Sequence, residues 1–223
     1  MKRGFLAILP LAFGVAAYGF AFGVLAAEAG FSPAGIAVMG AAVFAGSSQI
    51  AAVDQFLTTG TILGAALAGA ALNLRYIGIV ASMTPILKEL PWPTRLIALQ
   101  YSTDENFGLT LAERARDPSV GGGFLLGSGL TIMVSWVIST VGGAIVGSAV
   151  DDLDRFGIGF AFTAAFIAMA RALWPGRRAL IPWGVAFALT IVLIKLGTPS
   201  AAALILGALA GVATDFVVNR DDA

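Results

Sequence analysis

Seven apolar stretches, at residues 5–27, 35–53, 58–87, 124–150, 156–174, 179–196 and 200–218, run through a chain of 223 residues. A helix rises about 1.5 Å per residue, so about 20 apolar residues cross the roughly 30 Å hydrocarbon core of a bilayer. Backbone N–H and C=O groups find no water there, and each one left bare costs several kcal/mol. Stretches of this length predict an all-α membrane protein. They predict one integral-membrane domain over residues 1–223, a helical bundle of about seven transmembrane helices, six at least and eight at most. Only 12% of the residues are charged, against about 25% in soluble domains.

The composition excludes several chemistries. Cysteine and histidine are both absent, which removes disulfides, thiolate zinc sites, histidine metal ligation and Ser-His or Cys-His catalysis. No Gly-x-x-x-x-Gly-Lys-Ser/Thr loop occurs, so ATP is not bound by that route. The formal charge is zero, so no nucleic acid partner is implied, and neither a metal nor a cofactor is expected. Met1-Lys2-Arg3 before an apolar run resembles a signal-peptide start. The run continues to about Ala27, however, and is expected to stay as the first span.

Lysine and arginine serve as topology signals. Lys88, Arg95, Arg114 and Arg116 fall in the long polar connection 88–121, and Arg171, Arg177 and Arg178 in a later turn. Both connections are candidates for the cytoplasmic side. With three spans before residue 88 the N-terminus lies outside, against the bias of Lys2 and Arg3; with four it lies inside. Residues 58–87 amount to about 45 Å of helix, either one long or bent element or two segments. The span count therefore stays open between seven and eight.

Phe44-Ala45-Gly46-Ser47-Ser48-Gln49 interrupts the second stretch where a lipid-facing helix would carry leucine or phenylalanine. Glycine loses much entropy on ordering, and serine competes for its own backbone, so a broken helix is expected near residues 44–49. Such breaks near the midplane are where transporters hold small solutes. Gly46, Ser47, Ser48 and Gln49 are candidate substrate ligands; the plain alternative is interhelical packing by serine and glutamine. Asn73 and Arg75 lie inside an apolar run. Arg75 either snorkels to an interface or pairs with Asp54, Asp104 or a substrate carboxylate. By composition alone, Asp104 and Glu105 belong to a solvated cytoplasmic loop. Residues 35–46 resemble residues 157–168, which would make two inverted three-helix repeats on the seven-span count.

The order of Phe-Ala-Gly-Ser-Ser-Gln at 44–49, Asn-Leu-Arg-Tyr at 73–76 and Thr-Asp-Glu-Asn at 103–106 resembles the signature of the AzlC-like family, the large subunit of branched-chain amino acid exporters. Residues 10–23 and 157–166 are similar as well. The resemblance implies a multi-pass cytoplasmic-membrane protein that exports hydrophobic amino acids such as valine or leucine. It also implies a small AzlD-like membrane subunit as partner. It adds weight to Gln49, Asn73, Arg75, Asp104 and Glu105 as transport residues. Proton or ion coupling is expected, with Asp54, Asp104 and Glu105 as candidates for gating or proton carriage. Phe20, Phe22 and Phe44 are candidate walls for the aliphatic side chain. Two other classes remain to be weighed. A channel or scaffold would show unsaturable flux or none. A membrane-embedded hydrolase would need Lys88 or Lys195 as base, and both sit at helix ends.

Overall fold

The computed structural model describes residues 1–149, 167, 174 and 176–218. The described residues form helices α1 (Lys2–Glu28), α2 (Pro33–Val43), α3 (Gly46–Thr59), α4 (Ile62–Asn73), α5 (Arg75–Leu87), α6 (Trp92–Gln100), α7 (Asp104–Arg116), α8 (Gly122–Ala149), α9 (Leu180–Lys195) and α10 (Ser200–Val218), with no strand among them. Among the described residues, four helical segments are long and apolar enough to cross a membrane: Lys2–Glu28, Ile62–Leu87, Gly122–Ala149 and Arg177–Lys195. Pro33–Val43 and Ala202–Val218 are shorter apolar helices. The chain is thus an all-α membrane protein, as its apolar stretches predict. Apart from residues 167 and 174, the sequence match at 157–168 and the span 156–174, with Arg171, lie outside the described residues.

Two long helices, α1 and α8, lie side by side and run in the same direction. Gly4 meets the backbone of Phe124, Gly23 that of Thr140, and Gly143 that of Phe20. Any Cβ at Gly23 or Gly143 would strike a carbonyl, so only glycine allows this approach. The small-residue spacing of the first stretch therefore makes a packing face, and the Ser135 hydroxyl donates across it to Ala12 O at 2.9 Å. Gly207 and Gly211 play the same part between α9 and α10, against Thr190 and Ala186.

The second apolar stretch, 35–53, does not cross as one helix. Ser32 caps α2 by accepting from Gly35 N, with Pro33 in the first turn. The helix stops where Phe44 adopts a left-handed backbone, φ 42° and ψ 47°. For a bulky residue this costs about 1–2 kcal/mol, and such strain gathers at functional sites. After Ala45 the chain starts α3 and turns back. Phe31 and Phe56 stack edge to face with ring centroids 6.0 Å apart. Along one straight helix they would sit about 37 Å apart. The expected break is real, and its consequence is a V-shaped pair that returns to the end it came from.

A second V follows in the connection 88–121. Arg114 Nη2 bonds Glu89 Oε1 at 2.8 Å across 25 positions, so α7 returns to the end where α6 began. The same end holds the start of α8, where Leu90 packs on Gly122, and the start of α1, where Arg3 pairs with Glu113 at 2.9 Å and with Asp117. Asp117 is held down to about 2 by the Ser119 hydroxyl, the Arg3 guanidinium and the Ser119 N–H, in that order. Sequence composition leaves 88–121 as a polar connection with Asp104 and Glu105 in a solvated loop; the structure corrects this to a helical pair whose tip points inward.

Between the two Vs, α4 and α5 form one bent element hinged at Leu74, in line with the long-or-bent reading. It starts beside the end of α3 and finishes beside the start of α8, so it crosses opposite to α1. The chain therefore draws one path twice, in opposite senses: a crossing, then a V entering from the far side. The starts of α3 and α7, and the pairs Phe31–Phe56 and Glu89–Arg114, are each about 58 residues apart. This gives two inverted three-element units within residues 2–116. The tips meet, with Gln100 Nε2 donating to Ala41 O and Ala42 O, both at 3.1 Å.

Candidate functional site

Where the tips meet the middle of α1 and α8, a hollow of about 40 Å³ remains. Phe44, Ala45, Gly46 and Ser47 line it from the first V, and Thr103, Asp104 and Glu105 from the second. Arg75 and Tyr76 enter from the α4–α5 hinge, Val15 and Tyr18 from α1, and Ile132 and Trp136 from α8. The volume holds a few water molecules at most. It is far below the roughly 300 Å³ at which small-molecule pockets begin. In this structure the site is therefore too tight to take an amino acid.

Two helix N-termini face this hollow, and they differ. At α7, Thr103 and Asn106 form a reciprocal capping box, with Thr103 N–H donating to Asn106 Oδ1 at 2.7 Å. Asp104 and Glu105 fill its first turn. At α3 there is no side-chain cap and no acidic residue in the first turn. Its first N–H groups, at Gly46, Ser47 and Ser48, have no acceptor in the helix. The Ser47 Oγ is buried without a hydrogen-bond partner among the described residues. An exposed positive dipole end beside an idle hydroxyl suits an anion.

Arg75 supplies a full positive charge to the same space. Its Nη2 lies 3.2 Å from Asp104 Oδ2, and its guanidinium sits 5.6 Å from the Tyr76 ring centroid. The side chain is 35% exposed, so it neither snorkels to the basic end nor sinks into the core. Glu105 lines the hollow without an ion pair or hydrogen bond among the described residues. Val15, Phe44, Ile132 and Trp136 give apolar wall.

The other expected ligands hold the site together from behind. Ser48 and Gln49 are each 1% exposed and do not line the hollow. Ser48 donates to Asn73 Oδ1 at 2.6 Å, tying α3 to α4 next to the hinge. Trp136 Nε1 donates to Gln49 Oε1 at 3.1 Å, and the Gln49 Nε2 is buried without a partner among the described residues. Asp54 is exposed on α3, apart from the hollow. Of the three phenylalanines, Phe44 lines the hollow, Phe22 stacks on Trp136 at 5.7 Å, and Phe20 lies 38% exposed. Sequence reasoning missed Trp136 and Tyr18. A tryptophan in the middle of an apolar run, away from any interface, was the available signal. For Thr103 and Asn106 the signal was capping-box spacing.

The profile of the family described as "AzlC protein" matches residues 10–150. The chain belongs to the AzlC family. The matched segment holds both Vs and every described residue that lines the hollow. This AzlC chain is also 32% identical over 216 residues to a protein of Archaeoglobus fulgidus described as an uncharacterized membrane protein, covering 94% of the chain and 91% of the relative. No solved structure matches it. A membrane-transport role follows from the family, and the hollow is the place in the AzlC chain where polar groups converge inside the apolar bundle.

Proposed function

We propose that this chain is the large subunit of a secondary transporter that exports branched-chain amino acids such as valine or leucine across the cell membrane. One observation carries the reading: an uncapped helix start and an arginine share a narrow hollow with apolar walls. The substrate carboxylate takes the α3 N–H groups, Ser47 and Arg75; the aliphatic side chain packs on Val15, Phe44, Ile132 and Trp136. Gly46 is the contact point, because a Cβ there would lie 2.7 Å from Trp136 Cη2 and 2.9 Å from Tyr18 Cε1. Asp104 holds Arg75 while the site is empty, and its release on substrate binding is the proposed link to a proton or ion gradient. A small AzlD-like subunit is the proposed partner. The test is efflux of labelled valine or leucine from cells expressing this chain with and without that subunit. Saturable efflux that needs the pair is expected; flux without saturation would instead fit a channel.

The orientation follows from charge. Six of the seven lysines and arginines within residues 1–149 (Lys2, Arg3, Lys88, Arg95, Arg114 and Arg116) lie at the end shared by the starts of α1, α6 and α8; the seventh is Arg75. The positive-inside rule puts that end in the cytoplasm. Only two crossings, α1 and α4–α5, precede residue 88, so both basic signals agree. The first V then enters from outside and the second from the cytoplasm. With no native cysteine, single cysteines at Glu89 and Gly60 give a clean check. An impermeant maleimide added to intact cells is expected to label position 60 and spare position 89.

A further inference from the structure

Within that transporter reading, we infer that Glu105 is the specificity residue for the substrate's α-ammonium group, so the site selects amino acids over the corresponding 2-oxo acids. Among the described residues the hollow carries one guanidinium and two carboxylates, Arg75 against Asp104 and Glu105. Asp104 is taken up by Arg75 at 3.2 Å. Glu105 is partly buried, lines the same space and has neither ion pair nor hydrogen bond among the described residues. Helix α7 does not need it as a cap, because Thr103 and Asn106 already satisfy that end. The hollow thus holds one carboxylate that no described group in it pairs with.

A single cation of small size completes the set. The α3 start, with its free N–H groups and buried Ser47 hydroxyl, lies across from the α7 tip that carries Glu105. An α-amino acid spans the two poles with its two charged groups on one carbon, and its side chain is left to the apolar wall. A 2-oxo acid of the same carbon skeleton satisfies the α3 pole but leaves Glu105 without its ion pair. Charged hydrogen bonds of this kind contribute enough to separate the two compounds by about tenfold or more.

The test uses transport by membrane vesicles carrying the chain, with labelled valine and labelled 3-methyl-2-oxobutanoate as the probes. The wild type is expected to prefer valine by about tenfold or more. Glu105→Gln is expected to lose most valine transport, through a raised KM, while the 2-oxo acid is carried within about twofold of its former rate. Glu105→Asp, which keeps the charge, is expected to retain the preference for valine. An unchanged preference in Glu105→Gln overturns the inference alone, whether both compounds fall in parallel or neither falls; loss of the pH dependence of transport beside it would make Glu105 a proton carrier. A wild type that carries neither compound overturns the transporter reading along with it.

Discussion

Arg75→Ala is expected to lower valine export by about 10- to 100-fold, the loss of one to two charge-assisted hydrogen bonds to a carboxylate. Two effects are mixed in that number. The substitution removes the proposed carboxylate ligand, and it also leaves Asp104, 26% exposed at the tip of the second V, without its partner. An uncompensated carboxylate in this position weakens the closed arrangement by itself. The double variant Arg75→Ala/Asp104→Asn separates the two. It removes the stranded charge, so insertion and thermal stability are expected to return while export stays low. If export returns as well, Arg75 is only half of a structural ion pair. Arg75→Lys keeps the charge but loses the planar fork and its fit beside Tyr76, and is expected to export at an intermediate rate.

The second large effect is expected at Trp136. This side chain is 3% exposed, stacks on Phe22, lies 5.5 Å from the Tyr18 ring and bonds Gln49. It joins α8 to α1 and to the first V at once. Trp136→Ala opens a void where the tips meet, at a cost of about 3–5 kcal/mol. Export and thermal stability in detergent are both expected to fall sharply. Trp136→Phe keeps most of the ring but leaves Gln49 Oε1 buried and bare, for about 1–3 kcal/mol. Adding Gln49→Leu removes the orphaned amide, so Trp136→Phe/Gln49→Leu is expected to be more stable than Trp136→Phe. A double variant no better than the single one would mean that the ring contacts, and not the hydrogen bond, hold the tip. Its export also tests Gln49 directly: a rate near the wild type confirms that this glutamine supports the site without touching the solute.

Some residues carry a meaning that no partner can change, and those were legible in the sequence. An apolar run of about 20 residues must be a satisfied helix in a membrane. Gly46-Ser47-Ser48 in such a run weakens the helix wherever the chain goes, so the break near 44–49 was expected and found. The order of the three short motifs points to the AzlC family by itself. Asp104 was different. Its neighbours read as solvated loop because a nine-residue and a thirteen-residue helix, Trp92–Gln100 and Asp104–Arg116, are each too short to cross and too polar to look buried.

Tertiary structure decided where the breaks lead. Local chemistry sets whether a helix stops, but the direction in which the chain leaves is fixed by what the next segment packs against. Phe56 returning to Phe31 and Arg114 returning to Glu89 turn two interruptions into two inward tips. Only that folding brings Arg75, from a hinge between them, to Asp104, and leaves Ser48 and Gln49 as ties behind the surface they were expected to form. Apolar length and helix-breaking residues act along the chain, over a few ångströms, and so can be read from it. The meeting of the tips depends on contacts between residues far apart in sequence, and those exist only once the bundle has closed.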